Sequence, residues 1–245
     1  MQSLFRLTPL RPTAPIAADA LLPGDPARAL QLAQELLTEP KMSNHAHGLW
    51  GYGGRTEAGR ELTIQSIGIG GPSAAMVLAQ LGGLGVRRAV QVGTCRAVAP
   101  GLRLGEVMAV GEAIGADGVS RALGRVPAGA GAGSEADLKL SPDPELGAAL
   151  AQVAERAGLR SVCVASTDLL APLDGRPAQD WARRGAAAVE KVSAALFATG
   201  PRCGVAVAAL LVVADAGEEA IDAERLEKAS AQMGGLAVEA LSSFD

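Results

Sequence analysis

The sequence predicts an α/β fold in which helices cover a central β-sheet. Short apolar segments typical of buried strands alternate with helical segments along the whole chain. This alternation is the pattern of a sheet that carries helices on both faces. No shift in composition and no internal repeat divides the 245 residues, so we expect one domain, residues 1–245.

The first third of the chain predicts two helices, each preceded by a strand. Residues 21–30, LLPGDPARAL, leave an apolar strand and turn into a helix over 27–37, with Asp25 as the candidate N-cap. Residues 61–71 alternate between polar and apolar positions and end in glycine. Residues 72–85 have proline in the first turn and glycines at the end, which are the signals of a helix start and stop.

The middle of the chain predicts three strands and one helix. Residues 88–93 and 106–115 are short apolar runs of the buried-strand type. Residues 127–144 are rich in Gly, Ala, Pro and Ser, a composition that predicts a mobile loop. A regular helical pattern over 144–159 then leads into the strand 160–166.

The last third predicts a strand followed by a helix over 186–200 and a buried strand over 204–213. The apolar run 204–217 is the longest in the chain, but it is too short to span a bilayer. Residues 223–242 form an amphipathic pattern, which indicates a closing helix packed on the sheet.

Composition excludes several classes of protein. Apolar residues make up 49% of the chain and aromatic residues 2%, so the core must consist mainly of Ala, Val and Leu. A net charge of −4 without a basic run argues against nucleic-acid binding. The absence of a secretory signal and three scattered cysteines favour a cytoplasmic protein without a membrane partner. His45 and His47 lie near no Cys or carboxylate cluster, so we expect no metal site.

The opening turn, PGDPAR, allows two interpretations. Gly24 and Arg28 at a helix N-terminus are suited to binding an anion, because backbone N–H groups and the helix dipole favour negative charge there. The same residues also fit an ordinary Asp25 cap beside a solvated arginine. Residues 68–71, GIGG, follow a strand in the same way but lack the spacing of a dinucleotide-binding motif.

Six segments, taken in order, resemble the successive motifs of the nucleoside phosphorylase-I family. They are PGDPAR (23–28), GIGGPSAA (68–75), VGTCRAV (92–98), ASTDLL (165–170), VEKVSAAL (189–196) and VVADAGEE (212–219). The family contains bacterial hexameric purine nucleoside phosphorylases, uridine phosphorylases and related nucleosidases. The resemblance covers about residues 18–242 and implies a mixed central sheet flanked by helices.

The resemblance implies cleavage of a nucleoside by phosphate, to a free base and a pentose 1-phosphate. Phosphate is then a co-substrate and no other cofactor is needed. Gly24 and Arg28 match the phosphate-binding turn, and Thr94 matches the small hydroxyl residue of a second phosphate loop. Gln91 stands where the family usually has an arginine. His47 stands where members lend an arginine to the site of a neighbouring subunit.

The sugar-binding motif of the family, V-E-M-E, is altered in this chain. Glu190 matches the first glutamate, whereas Lys191 replaces the methionine and Val192 replaces the glutamate that binds the ribose hydroxyls. Ile69 stands where the family has a methionine near the sugar. Three interpretations remain open: Lys191 replaces the lost contact, the sugar is deoxy or otherwise altered, or ribosides are not substrates.

The base site carries two conflicting signals. Asp215 stands where purine phosphorylases place the aspartate that protonates the leaving base. Arg176 aligns with an arginine that uridine phosphorylases use on the pyrimidine carbonyls. The aromatic residue that packs on the base is replaced by Leu170 and Ala171. The resemblance therefore does not decide between purine and pyrimidine.

The favoured hypothesis is a nucleoside phosphorylase that forms a homo-oligomer, based on dimers and assembled up to a hexamer. Trp50 and Tyr52, on a glycine-rich segment, are candidates for the subunit interface. The alternatives are a nucleosidase that uses water, and a member without catalysis that binds a nucleoside-like or anionic ligand.

Overall fold

A computed structural model of the chain describes residues 8–124, 138–170, 173 and 177–244. The strands are β1 (Asp19–Pro23), β2 (Thr38–Asn44), β3 (Gly51–Arg55), β4 (Glu61–Gln65), β5 (Arg88–Ala97), β6 (Val107–Gly115), β7 (Lys139–Leu140), β8 (Arg160–Ser166), β9 (Ala188–Glu190), β10 (Ala206–Ala216) and β11 (Glu219–Ala220). The helices are α1 (Pro26–Leu36), α2 (Gly70–Leu84), α3 (Gly118–Leu123), α4 (Pro144–Arg156), α5 (Ala178–Arg183), α6 (Ser193–Cys203) and α7 (Ala223–Leu241).

The strands form one mixed sheet in the order β11-β10-β6-β8-β9-β5-β1-β4-β3-β2, with β7 paired to β6. The pairs β1–β4, β1–β5 and β6–β8 are parallel, whereas β2–β3 and β3–β4 are antiparallel. The expected α/β fold with a mixed central sheet is confirmed.

The sheet also closes partly on itself. Strand β10 pairs in parallel with β5 and antiparallel with β6, so that β5, β10, β6, β8 and β9 form a ring. This closure brings the end of β10 next to the end of β5, although more than a hundred residues separate them in the sequence. The functional consequence is that Asp215 comes opposite Arg96.

Two layers of helices bury the two faces of the sheet. Helices α2 and α6 pack one apolar cluster against one face, with Leu78 and Leu196 fully buried. Helices α1, α4 and α7 pack a second cluster against the other face, with Leu32 and Leu146 fully buried. The core consists mainly of Ala, Val and Leu, as the composition predicts.

Most predicted elements lie within a few residues of the observed ones, with two informative differences. The predicted strand 88–93 continues to Ala97, because β10 and β9 pair with its second half. The predicted strand 61–71 ends at Gln65, because Gly68 and Gly70 adopt positive φ values of 73° and 83° and turn the chain into α2. Much of the predicted loop 127–144 lies outside the described residues, and its last part contains β7.

Trp50 and Tyr52, the candidates for the subunit interface, both pack against the chain's own core. Tyr52 is buried on β3 among the residues of the second apolar cluster, and Trp50 is partly buried against the same cluster. Both rings therefore stabilise the chain's own core. No helix within the described ranges is long and apolar enough to cross a membrane.

Candidate functional site

One cavity of about 570 Å³ lies where β1, β4, β5 and β10 end. It contains all the predicted site residues that the structure describes: Gly24, Arg28, His47, Ile69, Gln91, Thr94, Glu190, Lys191 and Asp215. Arg176 lies outside the described residues. The carboxyl ends of strands are the usual position of a ligand site in α/β sheets.

The turn between β1 and α1 forms one wall of the cavity. The Asp25 carboxylate caps α1 by accepting hydrogen bonds from the N–H groups of Ala27 at 2.5 Å and Arg28 at 3.2 Å. A Cβ built on Gly24 would lie 3.4 Å from the carbonyl oxygen of Gly68, which is an ordinary contact. Packing inside the chain therefore does not require a glycine at position 24. Close approach of a ligand to the backbone is another reason for a glycine there.

The side chain of Arg28 lines the cavity near the Asp25 carboxylate. Its guanidinium makes no hydrogen bond or ion pair with another residue of the described ranges. Burial lowers the pKa of Arg28, and the Asp25 carboxylate counteracts part of that effect. Since arginine stays protonated in proteins, the cavity contains a partly desolvated cation that favours an anionic ligand.

Thr94 lies on β5 and also faces the cavity. Its side chain is half-buried, and its hydroxyl makes no hydrogen bond to any residue the structure describes. A hydroxyl and a cation that make no hydrogen bond inside the described chain are suited to an anion such as phosphate.

Gln91 and Glu190 belong to a buried polar network beneath the cavity. The Gln91 amide nitrogen donates to the Glu190 carboxylate at 3.4 Å, and the Ser193 hydroxyl donates to the Gln91 amide oxygen at 2.9 Å. The carboxylate also accepts hydrogen bonds from the Ser166 hydroxyl, from the Val192 N–H at 2.7 Å and from the Ser193 N–H at 3.0 Å. These two residues line the cavity, but their polar groups are engaged inside the protein.

The network places a carboxylate at the N-terminus of α6. Burial raises the pKa of Glu190, and the hydrogen bonds from Ser166, Ser193, Val192 and Gln91 counteract that effect. The positive end of the helix dipole also favours a negative charge at this position. Glu190 therefore connects β9 to the first turn of α6.

The two substituted positions of the sugar motif differ in their surroundings. Val192 is 8% exposed and packs in the apolar cluster of α2 and α6. The Lys191 ammonium donates to the backbone carbonyl of Asp168 at 3.2 Å. Neither residue fills the cavity. The carboxylate of segment 189–192, that of Glu190, already accepts hydrogen bonds inside the protein.

His47 and Ile69 lie at the exposed edge of the cavity. His47 has φ 56° and ψ 20°, in the left-handed region that residues other than glycine adopt only rarely. In this structure it lines the cavity of its own chain. Ile69 is 84% exposed and comes directly before α2.

Asp215 ends β10 beside a cation that the sequence analysis did not single out. The Arg96 guanidinium forms an ion pair with the Asp215 carboxylate at 3.3 Å and donates to the carbonyl oxygen of Gly217 at 2.7 Å. Both side chains line the cavity. Successive side chains of a strand point to opposite faces, so Arg96, two positions after Thr94, projects from the same face as Thr94. This alternation could have identified Arg96 from the sequence.

Cys95 reaches the cavity wall but is not suited to nucleophilic chemistry. Its buried thiol donates to the carbonyl oxygen of Val212 at 3.5 Å. Burial raises the pKa of Cys95, and the charges of Glu190 and Glu106 raise it further. The thiolate is the reactive form, so this cysteine is a packing residue. Within the described ranges, no group of three or more His, Cys, Asp or Glu side chains is placed to hold a metal ion.

Comparison with known proteins agrees with this fold. The family model of the phosphorylase superfamily matches residues 19–242. A purine nucleoside phosphorylase DeoD-type of Caldanaerobacter subterraneus subsp. tengcongensis is 28% identical over 229 residues, which cover 91% of this chain and 94% of that protein. Another from Geobacillus kaustophilus is 31% identical over 218 residues, covering 87% and 88%. A third, from Alkaliphilus metalliredigens, is 30% identical over 203 residues, covering 82% and 83%.

The match extends over nearly the whole chain and over all the elements that form the cavity. The chain therefore belongs to the phosphorylase superfamily.

Proposed function

We propose that the protein is a nucleoside phosphorylase, which uses phosphate to cleave the N-glycosidic bond of a nucleoside. The observation that carries the proposal is one cavity that combines the Arg28 cation, the Thr94 hydroxyl and the Asp215 carboxylate. Similarity to purine nucleoside phosphorylases over most of the chain supports the same reaction.

Phosphate is proposed to bind between Gly24, Arg28 and Thr94. Arg28 supplies charge, and the N–H of Gly24 and the hydroxyl of Thr94 supply further donors. A phosphate oxygen forms a bond to the anomeric carbon of the sugar while the bond from that carbon to the base nitrogen breaks. The base leaves with the electron pair of the broken bond.

Asp215, which also lines the cavity, is proposed to contact the departing base. Ile69 and Lys191 line the remaining part, where the sugar is expected to bind. Gln91 and Glu190 are assigned to the cavity floor, because their polar groups already have partners. His47, at the cavity edge, is proposed as a further contact for phosphate.

We also propose a cytoplasmic homo-oligomer built from dimers. Support comes from the exposed apolar side chains along and before α2, Ile69 at 84% and Met76 at 56% exposed. Such a surface is typical of a contact between subunits. Light scattering of the purified protein measures the number of subunits directly.

The test of the reaction is the release of free base from a panel of ribonucleosides and deoxyribonucleosides, with and without phosphate. Release that requires phosphate is the expected result. Release at the same rate without phosphate would identify a nucleosidase instead. No release from any nucleoside by the folded protein would contradict catalysis and leave ligand binding as its role.

A further inference from the structure

Two buried amide side chains lie behind the segment that carries His47. The Asn44 amide donates to the carbonyl oxygen of Leu49 at 2.5 Å, and the Gln65 amide donates to the same oxygen at 3.0 Å. Gln65 also donates to the carbonyl oxygen of Ser66 at 2.9 Å. Asn44 and Gln65 are 1% and 0% exposed, so these bonds are shielded from water. Together the two amides hold the carbonyl of Leu49 against the end of β4.

The held carbonyl lies at the point where the chain leaves the cavity and enters β3. His47, Gly48 and Leu49 line the cavity, and β3 begins two residues after Leu49. Asn44 is the last residue of β2, so its bond to Leu49 joins the two ends of segment 45–48. The position of this segment at the cavity therefore depends on the base that the amides close.

The backbone of the segment needs support from outside. His47 and Gly48 both have left-handed backbone angles, with φ 56° and 71°. This conformation is strained for a histidine, because its Cβ comes close to the backbone, and it persists only where the surrounding structure holds it. Inside the segment, the Gly48 N–H donates to the His45 carbonyl at 3.3 Å and the Leu49 N–H to the Ala46 carbonyl at 3.0 Å. These bonds close the turn, whereas the two amides connect it to β2 and β4.

Gly51 makes room for one of the amides. A Cβ built on Gly51 would lie 2.2 Å from the amide oxygen of Gln65 and 3.0 Å from the Ser43 hydroxyl oxygen. The φ of Gly51 is not in the left-handed region, so the backbone itself does not require a glycine there. The space that the Gln65 side chain needs is therefore the reason for a glycine at position 51.

We propose that Asn44 and Gln65 are positioning residues for the proposed phosphate site. By holding the carbonyl of Leu49, they keep His47 at the edge of the cavity that contains Arg28. The two amides do not line the cavity themselves, so they act on the ligand through His47. This inference rests on the proposed function, since it takes phosphate as the ligand that His47 contacts.

The test is a double-mutant cycle on phosphate affinity, measured by titration calorimetry of the full chain with inorganic phosphate. Gln65→Leu removes the donor and keeps a side chain of similar size. The Kd for phosphate should rise about 3- to 10-fold in Gln65→Leu and in His47→Ala, the range of one lost hydrogen bond. The double variant should show no larger rise than His47→Ala alone, because the amide acts through His47.

Two further variants separate positioning from a loss of stability. Gln80→Leu is the matched control, because the Gln80 amide also holds a backbone segment, with bonds of 2.8 Å to the N–H and the carbonyl oxygen of Leu10, but does not line the cavity. It should leave the Kd for phosphate within experimental error. Gly51→Ala displaces the Gln65 amide without changing it. It should raise the Kd as Gln65→Leu does, and it serves if Gln65→Leu does not fold.

The outcomes distinguish this role from the proposed reaction. A Kd that Gln65→Leu leaves unchanged, a rise that adds in full to that of His47→Ala, or an equal rise in Gln80→Leu would overturn the positioning role alone. The expected coupling, together with base release that does not depend on phosphate, would support the positioning role and contradict the reaction. Wild-type protein that binds no phosphate would overturn both.

Discussion

At the scale of single residues, the proposed phosphate site depends most on Arg28. Arg28→Ala removes a cation that makes no hydrogen bond or ion pair in the described chain, while the Asp25 cap of α1 is retained. A hydrogen bond to a charged group contributes about 1.5–3 kcal/mol. We expect the KM for phosphate to rise about 10- to 100-fold, measured by initial rates at saturating nucleoside.

The matched control for this variant is Arg156→Ala, which removes an exposed arginine outside the cavity. It should leave the KM for phosphate within experimental error. If Arg28→Ala also leaves that KM unchanged, the turn 23–28 has only its structural role as a capped helix start.

At this scale, three residues that line the cavity could be predicted from the sequence. Gly24, Arg28 and Thr94 lie in short motifs, so their placement depends on local turn and strand geometry. Arg96 was not identified, because strand β5 was expected to end at residue 93 and actually continues to Ala97. Contacts of Gln91 with Glu190 join residues 99 apart, and no local pattern predicts such a pairing.

At the scale of elements, Glu190 connects β9, β5 and α6. Glu190→Ala would leave the N–H groups of Val192 and Ser193 and the Ser166 hydroxyl without their acceptor. Each such loss costs about 1–3 kcal/mol in a buried site, so we expect the free energy of unfolding to fall by at least about 2 kcal/mol. Glu224→Ala removes an exposed pair with Lys228 and should change stability little.

The pH dependence of stability tests the charge state of this residue. Burial raises the pKa of Glu190 in the folded protein, so the folded state binds the proton more tightly than the unfolded state. The stabilisation that results is complete below the unfolded pKa of about 4.3 and is lost as pH rises through the folded value. The free energy of unfolding of the wild type relative to Glu190→Gln should therefore decrease as pH rises above about 4.3. Denaturant titrations at several pH values measure this difference, and an increase with pH would contradict it.

The order and type of the elements are largely predictable, because buried strands and amphipathic helices have different periods. The closure of the sheet is not predictable in the same way. The pairing of β10 with β5 depends on a register between segments that are distant in the sequence. This closure brings Asp215 next to Arg96 in the cavity, so the part of the site where the base is proposed to bind was the least predictable from the sequence.

At the scale of the whole molecule, phosphate should stabilise the folded protein. A ligand that binds only the folded state at a hundred times its Kd adds about 2.7 kcal/mol. For a chain of this size, that free energy corresponds to a rise in Tm of about 5–11 °C. Thermal melts in phosphate and in chloride of equal ionic strength measure the rise.

The same melts on Arg28→Ala provide the specificity control. This variant should lose most of the phosphate-dependent rise, whereas Arg156→Ala should keep it. An equal rise in all three proteins would point to a general salt effect instead of a site.

The central claim is that phosphate, and not water, attacks the sugar. The most direct measurement is ³¹P NMR of a reaction with a cleaved nucleoside and inorganic phosphate, with released base quantified in parallel. The account predicts a new phosphate-ester resonance, from pentose 1-phosphate, in an amount equal to the free base. Free base accompanied by unesterified pentose and an unchanged phosphate signal would contradict it.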